Sequence, residues 1–324
     1  MVDIGIDLGG TNIAVGVVDE SLAILSRVST PTYSDRPYQA IVQDMAVCIE
    51  KALAKLAMTV QDVQSIGIGI PGVADQKAGK VVFCTNLSWH DIPLRAELQK
   101  YIGKPVYIDN DATVAGLAES YAGVSAGCES SVFMTLGTGV GAGIIIGGRP
   151  WSGAHGVGSE LGHMTIMADG VPCTCGNNGC VERYCSATAI IRMAKQYCLS
   201  YPDCAILRLA GGDPDKIEAK TVIDAAKGGD PVAMRVFDHY TKYLAITVNN
   251  ITAFLDPEMI VLGGGVSSAG DFLLNALKEK LPRYLMYKTL PSPKLALAKL
   301  GNKAGIIGAA VLRQAAEYLN DKQA

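Results

Sequence analysis

The sequence predicts a protein of mixed α/β class with two domains. Its 324 residues exceed the length of an average domain, which is roughly 150 residues. Short apolar segments typical of strands alternate with segments whose apolar residues recur at helical spacing. The apolar strand, glycine turn and apolar strand of residues 2–18 also recur from Ser131 onwards. This internal echo indicates two domains of related architecture.

The first third of the chain begins with a glycine turn between two strands. Alternation of apolar and small residues predicts strands at 2–8 and 13–18, and the short connection between them favours an antiparallel hairpin. Further along, we predict strands at 23–28, 65–70 and 106–108 and helices at 38–57, 93–101 and 112–121.

The rest of the chain starts with the second glycine-rich unit, which an irregular, cysteine-rich segment at 163–185 follows. We predict a short strand at 258–262 and helices at 186–197, 221–227, 231–254, 270–280 and 304–318. The smaller domain is expected to span 1–117 and the larger domain 118–303. The last helix, at about 304–320, is expected to pack back on the smaller domain.

Charge and composition argue against several classes of partner. A formal net charge of −3 and a pI of about 5.8 give no electrostatic reason to expect nucleic acid or an acidic membrane. The N-terminal sequence MVDIGIDLGG lacks the features of a signal peptide, and we find no apolar run long enough to span a membrane. We therefore expect a cytoplasmic protein whose nine cysteines are reduced thiols or metal ligands.

The first glycine turn has the composition of a phosphate site. Asp7 closes a strand and is followed by Gly9, Gly10 and Thr11. Glycines let the backbone approach a phosphate closely, and the N–H groups of such a turn can point at it. A carboxylate at the strand end can hold Mg²⁺ through water. A plain hairpin turn is the alternative interpretation.

Two further glycine turns also follow apolar strands. In Gly137-Thr138-Gly139 the threonine hydroxyl could reach a phosphate, and Gly264-Gly265 precedes a helix, where adenine or ribose could lie. Each turn could be only a tight connection, but the three together indicate a nucleotide held between two domains. We find neither a Walker loop nor a dinucleotide-binding fingerprint in the sequence.

Asn110 and Asp111 follow the predicted strand 106–108. A carboxylate at a strand end that faces a cleft can accept a proton from an attacking hydroxyl, which makes Asp111 a candidate catalytic base. Asn110 can hydrogen-bond sugar hydroxyls as donor and acceptor. Taken alone, the pair favours the alternative interpretation, an Asx turn that caps the next helix.

The strongest motif is a cysteine-rich loop. Cys173 and Cys175 are followed by Cys180, and His163 lies ten residues before the first of them. Three thiolates and one imidazole suit a tetrahedral, structural Zn²⁺ site. Cysteines buried together by chance are the alternative. Cys185 is a weaker candidate ligand, and the other five cysteines are interpreted as thiols without a role.

These motifs resemble the ROK family, named for repressors, open reading frames and kinases. The similarity extends over nearly the whole chain and is carried by DLGGTNIAVGVVD, IDNDATVAG, TLGTGVGAGIIIGGRPWSGAHGVGSELGH, CTCGNNGCVE and VLGGGVS, which begin at positions 7, 108, 135, 173 and 261. The resemblance implies an α/β, two-domain actin-like (ribonuclease H-like) ATPase fold with an interdomain cleft and a zinc knuckle.

The resemblance also implies a role for each matching residue. Asp111 matches the catalytic base. Sugar ligands would be Asn110, Asp111, Glu160, His163 and Glu182. Zinc ligands would be His163, Cys173, Cys175 and Cys180, so the metal would orient a residue that contacts the sugar. ATP and Mg²⁺ would be bound by Asp7, Gly9, Gly10, Thr11, Gly137, Thr138, Gly139, Gly264 and Gly265.

The implied activity is ATP-dependent phosphorylation of a hexose at its 6-hydroxyl, with glucose as the first choice. Mg²⁺ and loop amides would neutralise the phosphates while Asp111 accepts the hydroxyl proton. The segment Thr85–Trp89 resembles the corresponding stretch of bacterial glucokinases. We expect a sugar as the partner, no nucleic acid and no membrane, and a homodimer or homotetramer.

Three alternatives stay open. The substrate could be another hexose: N-acetylmannosamine, N-acetylglucosamine, fructose, allose or a phosphorylated disaccharide. The phosphoryl donor could be polyphosphate, although the composition shows no basic groove. The family also contains sugar-responsive repressors, but these carry a DNA-binding winged helix before the first phosphate segment, which here begins at Asp7.

Overall fold

The computed structural model describes residues 1–321, and it is of mixed α/β class, as predicted. The strands are β1 (Val2–Leu8), β2 (Asn12–Val18), β3 (Ile24–Pro31), β4 (Val63–Ile70), β5 (Val73–Asp75), β6 (Lys80–Cys84), β7 (Trp89–Ile92), β8 (Val106–Asn110), β9 (Ser130–Leu136), β10 (Val140–Ile146), β11 (Arg149–Pro150), β12 (Met259–Gly263) and β13 (Lys294–Leu297). The α-helices are α1 (Tyr38–Ala54), α2 (Leu94–Gln99), α3 (Asp111–Ala122), α4 (Glu182–Cys185), α5 (Ala187–Ser200), α6 (Ala205–Leu209), α7 (Ala219–Lys227), α8 (Pro231–Leu255), α9 (Asp271–Lys280), α10 (Ala304–Ala310) and α11 (Leu312–Asp321).

Contacts within the chain divide it into two compact units. Unit 1 comprises Met1–Phe133, Gly143–Ser159 and the chain from Lys299 onwards, and unit 2 comprises Met134–Ala142 and Glu160–Ala298. The limits fall within β9 and β10, so each of these strands contributes to both units. Our predicted domains, 1–117 and 118–303, have different limits and stay a prediction.

Unit 1 contains a five-stranded sheet in the order β3-β2-β1-β4-β8. The first three strands in the sequence are antiparallel, whereas β1, β4 and β8 run parallel. The carboxyl ends of the parallel strands therefore meet at one edge, where Asp7, Gly69 and Asp109 lie in register. Isoleucines of these strands pack with α1 in a buried core. Because the core fixes the register, it also fixes which polar side chains reach this edge.

Helix α10 lies unusually close to the same sheet. Gly16, Gly5 and Gly67 are aligned across three neighbouring strands. A Cβ on Gly5 would lie 1.9 Å from the carbonyl oxygen of Ile306, and a Cβ on Gly67 would lie 1.8 Å from that of Ala309. The helix backbone therefore rests directly on the strand backbone, which glycine alone permits.

The second five-stranded sheet has the order β11-β10-β9-β12-β13.

In unit 2 the longest helix, α8, begins at Pro231, and the side chain of Asp230 accepts hydrogen bonds from the N–H groups of Val232 and Ala233. This cap and the proline at the first helical position define the start of the helix. The helix ends where Asp256 adopts the left-handed conformation, with φ of 43°.

Several parts of the fold differ from our predictions, and β13 and α6 were among the elements that the sequence did not predict. The single helix predicted at 304–318 is broken at Val311 into α10 and α11. All described residues of α10 but Gly305 are buried, whereas Arg313 and Gln314 of α11 are partly exposed, so the two helices have different surroundings. The sequence also did not predict the three-stranded sheet β5-β6-β7, whose strands are short. Within residues 1–321, each helix is too short or too polar to cross a bilayer.

Candidate active site

The first glycine turn joins β1 to β2 and is fixed by hydrogen bonds. The N–H of Gly9 donates to the carbonyl of Asn12 at 2.9 Å. Thr32 donates from its N–H to the Thr11 carbonyl (2.8 Å) and from its hydroxyl to the Gly9 carbonyl (2.7 Å). Within the described residues, the N–H groups of Gly10 and Thr11 donate no hydrogen bond. Two adjacent unpaired donors suit a phosphate oxygen.

Asp7 lies at the carboxyl edge of the first sheet, just before this turn. Burial raises the pKa of its carboxyl, and the positive charge of Arg27 lowers it by less. The carboxyl packs on α10 at Gly305, where a Cβ would lie 2.6 Å from Asp7 Oδ2. One carboxylate next to a phosphate-binding turn fits Mg²⁺, which keeps several waters and shares the phosphates as ligands.

Asn110 ends β8 and caps α3. Its Oδ1 accepts hydrogen bonds from the N–H groups of Ala112 (2.9 Å) and Thr113 (3.2 Å), and its Nδ2 donates to the carbonyl of Gly72 (3.1 Å). The helix cap that the sequence left as an alternative is therefore formed. It uses one of the two amide hydrogens, and among residues 1–321 the other has no partner. Asp111 is exposed at the first position of α3.

Asp109, which received no role from the sequence, is buried and only 3% exposed. Its Oδ2 accepts a hydrogen bond from Gln76 Nε2 at 2.5 Å, and its Oδ1 accepts one from the N–H of Asn110 at 2.7 Å. Burial raises the pKa of Asp109 to about 7, because the two hydrogen bonds offset only part of the desolvation. A buried, hydrogen-bonded carboxyl thus directly precedes Asn110 and bonds to its N–H.

The second glycine turn joins β9 to β10 and lies against α5. The N–H of Gly137 donates to the carbonyl of Gly139 at 3.0 Å. The carbonyls of Gly137 and Thr138 accept hydrogen bonds from the N–H of Ala187 and the hydroxyl of Thr188, both at 2.7 Å. In the part of the chain that the structure describes, the N–H groups of Thr138 and Gly139 donate no hydrogen bond. This turn therefore offers a second pair of donors.

Glu182 opens α4 and reaches the end of the second turn. Its Oε2 accepts a hydrogen bond from the N–H of Val140 at 3.1 Å. A Cβ on Gly139 would lie 2.2 Å from the same oxygen, so residue 139 has to be glycine for this contact to form. The sequence could not reveal the contact, because 42 positions separate Glu182 from Val140.

Glu160 and His163 flank a single 3₁₀ turn. The N–H of His163 donates to the carbonyl of Glu160 at 3.0 Å. Gly162 lies against β10, since a Cβ there would be 1.9 Å from the carbonyl oxygen of Val140. Val140 therefore contacts both Gly162 of this turn and the predicted sugar ligand Glu182.

The four predicted zinc ligands form one cluster. The ligand atoms of His163, Cys173, Cys175 and Cys180 all lie within 4.8 Å of one another. The Sγ of Cys173 is 3.7 Å from His163 Nδ1, and the Sγ of Cys175 is 3.6 Å from that of Cys180. Tetrahedral Zn²⁺ with bonds of about 2.0–2.3 Å separates its ligand atoms by roughly 3.5–3.8 Å. The donor set and its spacing fit zinc. Cys185 instead lies buried beside the Thr247 hydroxyl, at 3.8 Å.

The third glycine turn follows β12. Gly264 has a φ of 79°, and a Cβ there would lie 2.6 Å from the backbone nitrogen of Leu136, so glycine is required on both counts. A cavity of about 280 Å³ opens beside Gly265. Its other lining residues include Ala187, Glu218, Lys220, Ile223, Lys227 and Val266. A pocket with apolar walls and a few polar groups next to this turn suits a nucleoside.

The predicted site residues thus fall into two groups. Unit 1 holds Asp7, the first glycine turn, Asn110 and Asp111, all at the carboxyl edge of its sheet. Unit 2 holds the two other turns, the zinc ligands, Glu160 and Glu182. Sequence reasoning missed Gln76, which no local pattern marks because its partner lies 33 positions away. The individual residue roles stay predictions.

Comparison with known proteins identifies the family. A profile of the ROK family matches residues 3–316. The chain is 37% identical to a glucokinase of Streptomyces coelicolor over 314 residues, which are 95% of this chain and 96% of that protein. A glucokinase of Thermotoga maritima is 36% identical over 311 residues, 95% of each protein.

Solved structures agree with this assignment. The crystal structure of a ROK family glucokinase from Streptomyces griseus in complex with glucose and AMPPNP matches with a TM-score of 0.82 at 36% identity, over 97% of this chain and 100% of that chain. The predicted actin-like ATPase fold and the resemblance noted from the sequence are confirmed. The chain therefore belongs to the ROK family.

Proposed function

We propose that this protein is an ATP-dependent hexose kinase that transfers the γ-phosphoryl group of ATP to the 6-hydroxyl of glucose. The observation that carries the proposal is similarity over nearly the full length to two glucokinases and to a glucokinase structure with glucose and AMPPNP. Phosphoryl transfer needs bound phosphates, a positioned hydroxyl and a proton acceptor. The chain has candidates for each.

The glycine turns are the candidates for binding ATP. Gly10 and Thr11 in unit 1, and Thr138 and Gly139 in unit 2, each offer two unpaired N–H groups within the described chain, and such pairs bind phosphate oxygens. Asp7 would hold Mg²⁺ through water, and the cation would offset the negative charge of the phosphates. The adenosine would occupy the cavity beside Gly265.

The candidates for sugar binding are the polar side chains that the family resemblance assigns to this role. The second amide hydrogen of Asn110 can donate to a sugar hydroxyl. The carboxylate of Asp111 accepts the proton of the 6-hydroxyl as the new O–P bond forms and the bond between the γ-phosphorus and the leaving ADP oxygen breaks. Glu160 and Glu182 are acceptors for further hydroxyls.

His163 would serve two functions. Its Nδ1 faces Cys173 in the zinc cluster, which leaves Nε2 on the other side of the ring for a sugar hydroxyl. Bound zinc would supply structural stability and fix the tautomer of His163. The loop that carries Cys180 leads directly into Glu182, so the same loop would place both sugar ligands.

We further propose that the protein acts in the cytoplasm and assembles as a homodimer or homotetramer. Its ligands would be the sugar and ATP, with no nucleic acid or membrane as partner. Size-exclusion chromatography with light scattering measures the assembly directly.

The test of the activity is a panel of hexoses in a coupled assay for ADP. We expect the highest kcat/KM for glucose, and ³¹P NMR of the product should show glucose 6-phosphate. Preference for N-acetylmannosamine, N-acetylglucosamine, fructose or allose would correct the substrate but retain the hexose kinase. Absence of ADP release with each sugar, in folded protein supplied with Mg²⁺, would overturn the proposal. Parallel reactions with polyphosphate test the donor.

A further inference from the structure

Strand β5 is fixed to the end of β8 at both of its ends. Gly72, just before β5, accepts the amide hydrogen bond of Asn110 at 3.1 Å. Gln76, just after β5, donates its side-chain amide to Asp109 at 2.5 Å. Two consecutive residues of β8 therefore hold the two residues that flank β5.

Arg95 of α2 fixes the same turn from another side. Its Nε donates to the carbonyl of Val106 at 2.8 Å, and its two other nitrogens donate to the carbonyls of Gln76 (2.6 Å) and Lys77 (3.0 Å). The turn is also held at Gly79, whose carbonyl accepts a hydrogen bond from the N–H of Arg95 at 3.0 Å. Arg95 thus holds the main chain of the turn from Gln76 onwards, and the bond from the Gln76 side chain to Asp109 is the link between this turn and the end of β8.

Asp109 directly precedes Asn110, the predicted sugar ligand, in the sequence. It accepts hydrogen bonds from Gln76 with one oxygen and from the Asn110 N–H with the other. The direction of the remaining Asn110 amide hydrogen depends on the carbonyl of Gly72, which β5 connects to Gln76. The desolvation of a carboxyl that is only 3% exposed is costly, and the two hydrogen bonds that Asp109 accepts offset part of that cost.

We propose that Asp109 is a positioning residue for sugar binding: through Gln76 and β5 it holds the Asn110 amide in the orientation that a sugar hydroxyl requires. This inference rests on the proposed kinase function. Asp109 does not itself contact the sugar, so its effect should appear in the sugar KM and leave the chemical step and ATP binding nearly unchanged.

The experiment compares three variants with the wild-type protein, using the sugar preferred in the panel. Asp109→Ala removes both acceptors, and the sugar KM should rise about tenfold, the effect of one misdirected hydrogen bond. The ATP KM and kcat should change by less than about threefold. Gln76→Ala removes only the link to β5 and should raise the sugar KM in the same direction.

Asp109→Asn tests whether Asp109 acts through the geometry of its hydrogen bonds or through its charge. The asparagine oxygen can accept from the Asn110 N–H, and its amide can donate to Gln76 once the Gln76 amide rotates. The sugar KM of this variant should stay within about threefold of the wild-type value. A loss as large as that of Asp109→Ala would overturn the inference that hydrogen-bond geometry is what Asp109 supplies.

Asp75→Asn is the matched control, because Asp75 is exposed in the same hairpin and, among the described residues, its side chain accepts a hydrogen bond only from the N–H of Ala78, within the turn, at 2.9 Å. It should leave both KM values unchanged. A folded Asp109→Ala with a sugar KM within twofold of wild type, or with sugar and ATP KM rising in parallel, contradicts the inference. If Asp109→Ala does not fold, Gln76→Ala decides by the same criteria. Inactive wild-type protein would refute the kinase function instead.

Discussion

Glu182 and Gly139 are in contact because residue 139 has no side chain. A Cβ on Gly139 would lie 2.2 Å from Oε2 of Glu182, and this oxygen accepts the hydrogen bond of the neighbouring Val140 N–H at 3.1 Å. A predicted sugar ligand is therefore built against a predicted phosphate turn within unit 2. Among the described residues, one oxygen of Glu182 is anchored by this bond and the other accepts no hydrogen bond.

Replacement of Glu182 tests whether the cysteine-rich loop supports sugar binding. For Glu182→Ala we expect kcat/KM for the preferred sugar to fall about ten- to 150-fold, since hydrogen bonds to charged groups contribute roughly 1.5–3 kcal/mol. Glu182→Gln retains an acceptor for the Val140 N–H and should lose less. Kinetics with varied sugar and varied ATP check this, and the ATP KM should stay within a few-fold. An unchanged kcat/KM would leave the loop with a structural role only.

Asp111→Asn should remove turnover but not the fold. The amide is nearly isosteric with the carboxyl but is a poor proton acceptor, so kcat should fall by about 10²–10⁴-fold. Sugar affinity, measured by calorimetry without ATP, should change little. Retention of more than about a tenth of the wild-type kcat would show that Asp111 is not the base.

The zinc cluster predicts about one tightly bound Zn²⁺ per chain. Metal analysis of protein purified without added zinc measures it, and Cys173→Ser should lower both the zinc content and the thermal midpoint, because a structural metal contributes directly to folding. Cys128→Ser, outside the cluster, is the control and should keep the metal. A zinc content near zero, with activity that resists strong chelators, would refute the site.

Because α10 packs directly on the sheet, one methyl group added at a sheet glycine should strongly lower the free energy of unfolding. Gly67→Ala places a Cβ 1.8 Å from the carbonyl oxygen of Ala309 and should lower the free energy of unfolding by about 3 kcal/mol or more, at the upper end of overpacking effects. Gly103→Ala, where no atom lies within 4 Å of the new Cβ, should change it little. Urea denaturation followed by circular dichroism compares the two. Equal midpoints would contradict the close approach of helix and sheet.

The raised pKa of Asp109 predicts a pH dependence of stability. Its folded-state pKa of about 7 lies above the ordinary value near 4, so the folded state binds the extra proton between these two values. The stabilisation from this group is complete below about pH 4 and is lost as the pH rises to about 7. Asp109→Asn should lack this decline, and the difference between the unfolding free energies of wild type and variant, measured from pH 4 to 8, isolates it. A difference that does not vary with pH would contradict the assignment.

The sequence predicted the structure best in segments whose residue types and spacing form a distinctive pattern. The zinc cluster was predicted ligand by ligand because three cysteines and a histidine at such short spacing are typical of a metal site. The first hairpin was predicted at Val2–Leu8 because apolar alternation and a glycine turn agree there. The family followed from the same segments, and the comparisons confirm it.

Other features were hidden because they depend on contacts between distant residues. Strand β5 has three residues, and none of them is buried, so it leaves no periodic pattern. In the sequence Gln76 looks like an ordinary turn residue, because its hydrogen-bond partner Asp109 lies 33 positions away. The glycines at 5, 16 and 67 look like weak points of strands, and only the position of α10 explains them.

The arrangement of unit 1 has a consequence for biosynthesis. Both segments of unit 2 leave the ribosome before Lys299, whereas the sheet of unit 1 is covered by α10 only when residues 304–310 have been made. Until then the glycine row of β2, β1 and β4 and its apolar neighbours stay uncovered. A chain truncated after Ala298 should consequently carry a protease-resistant unit 2 joined to a protease-sensitive unit 1, and it should be the form that chaperones bind.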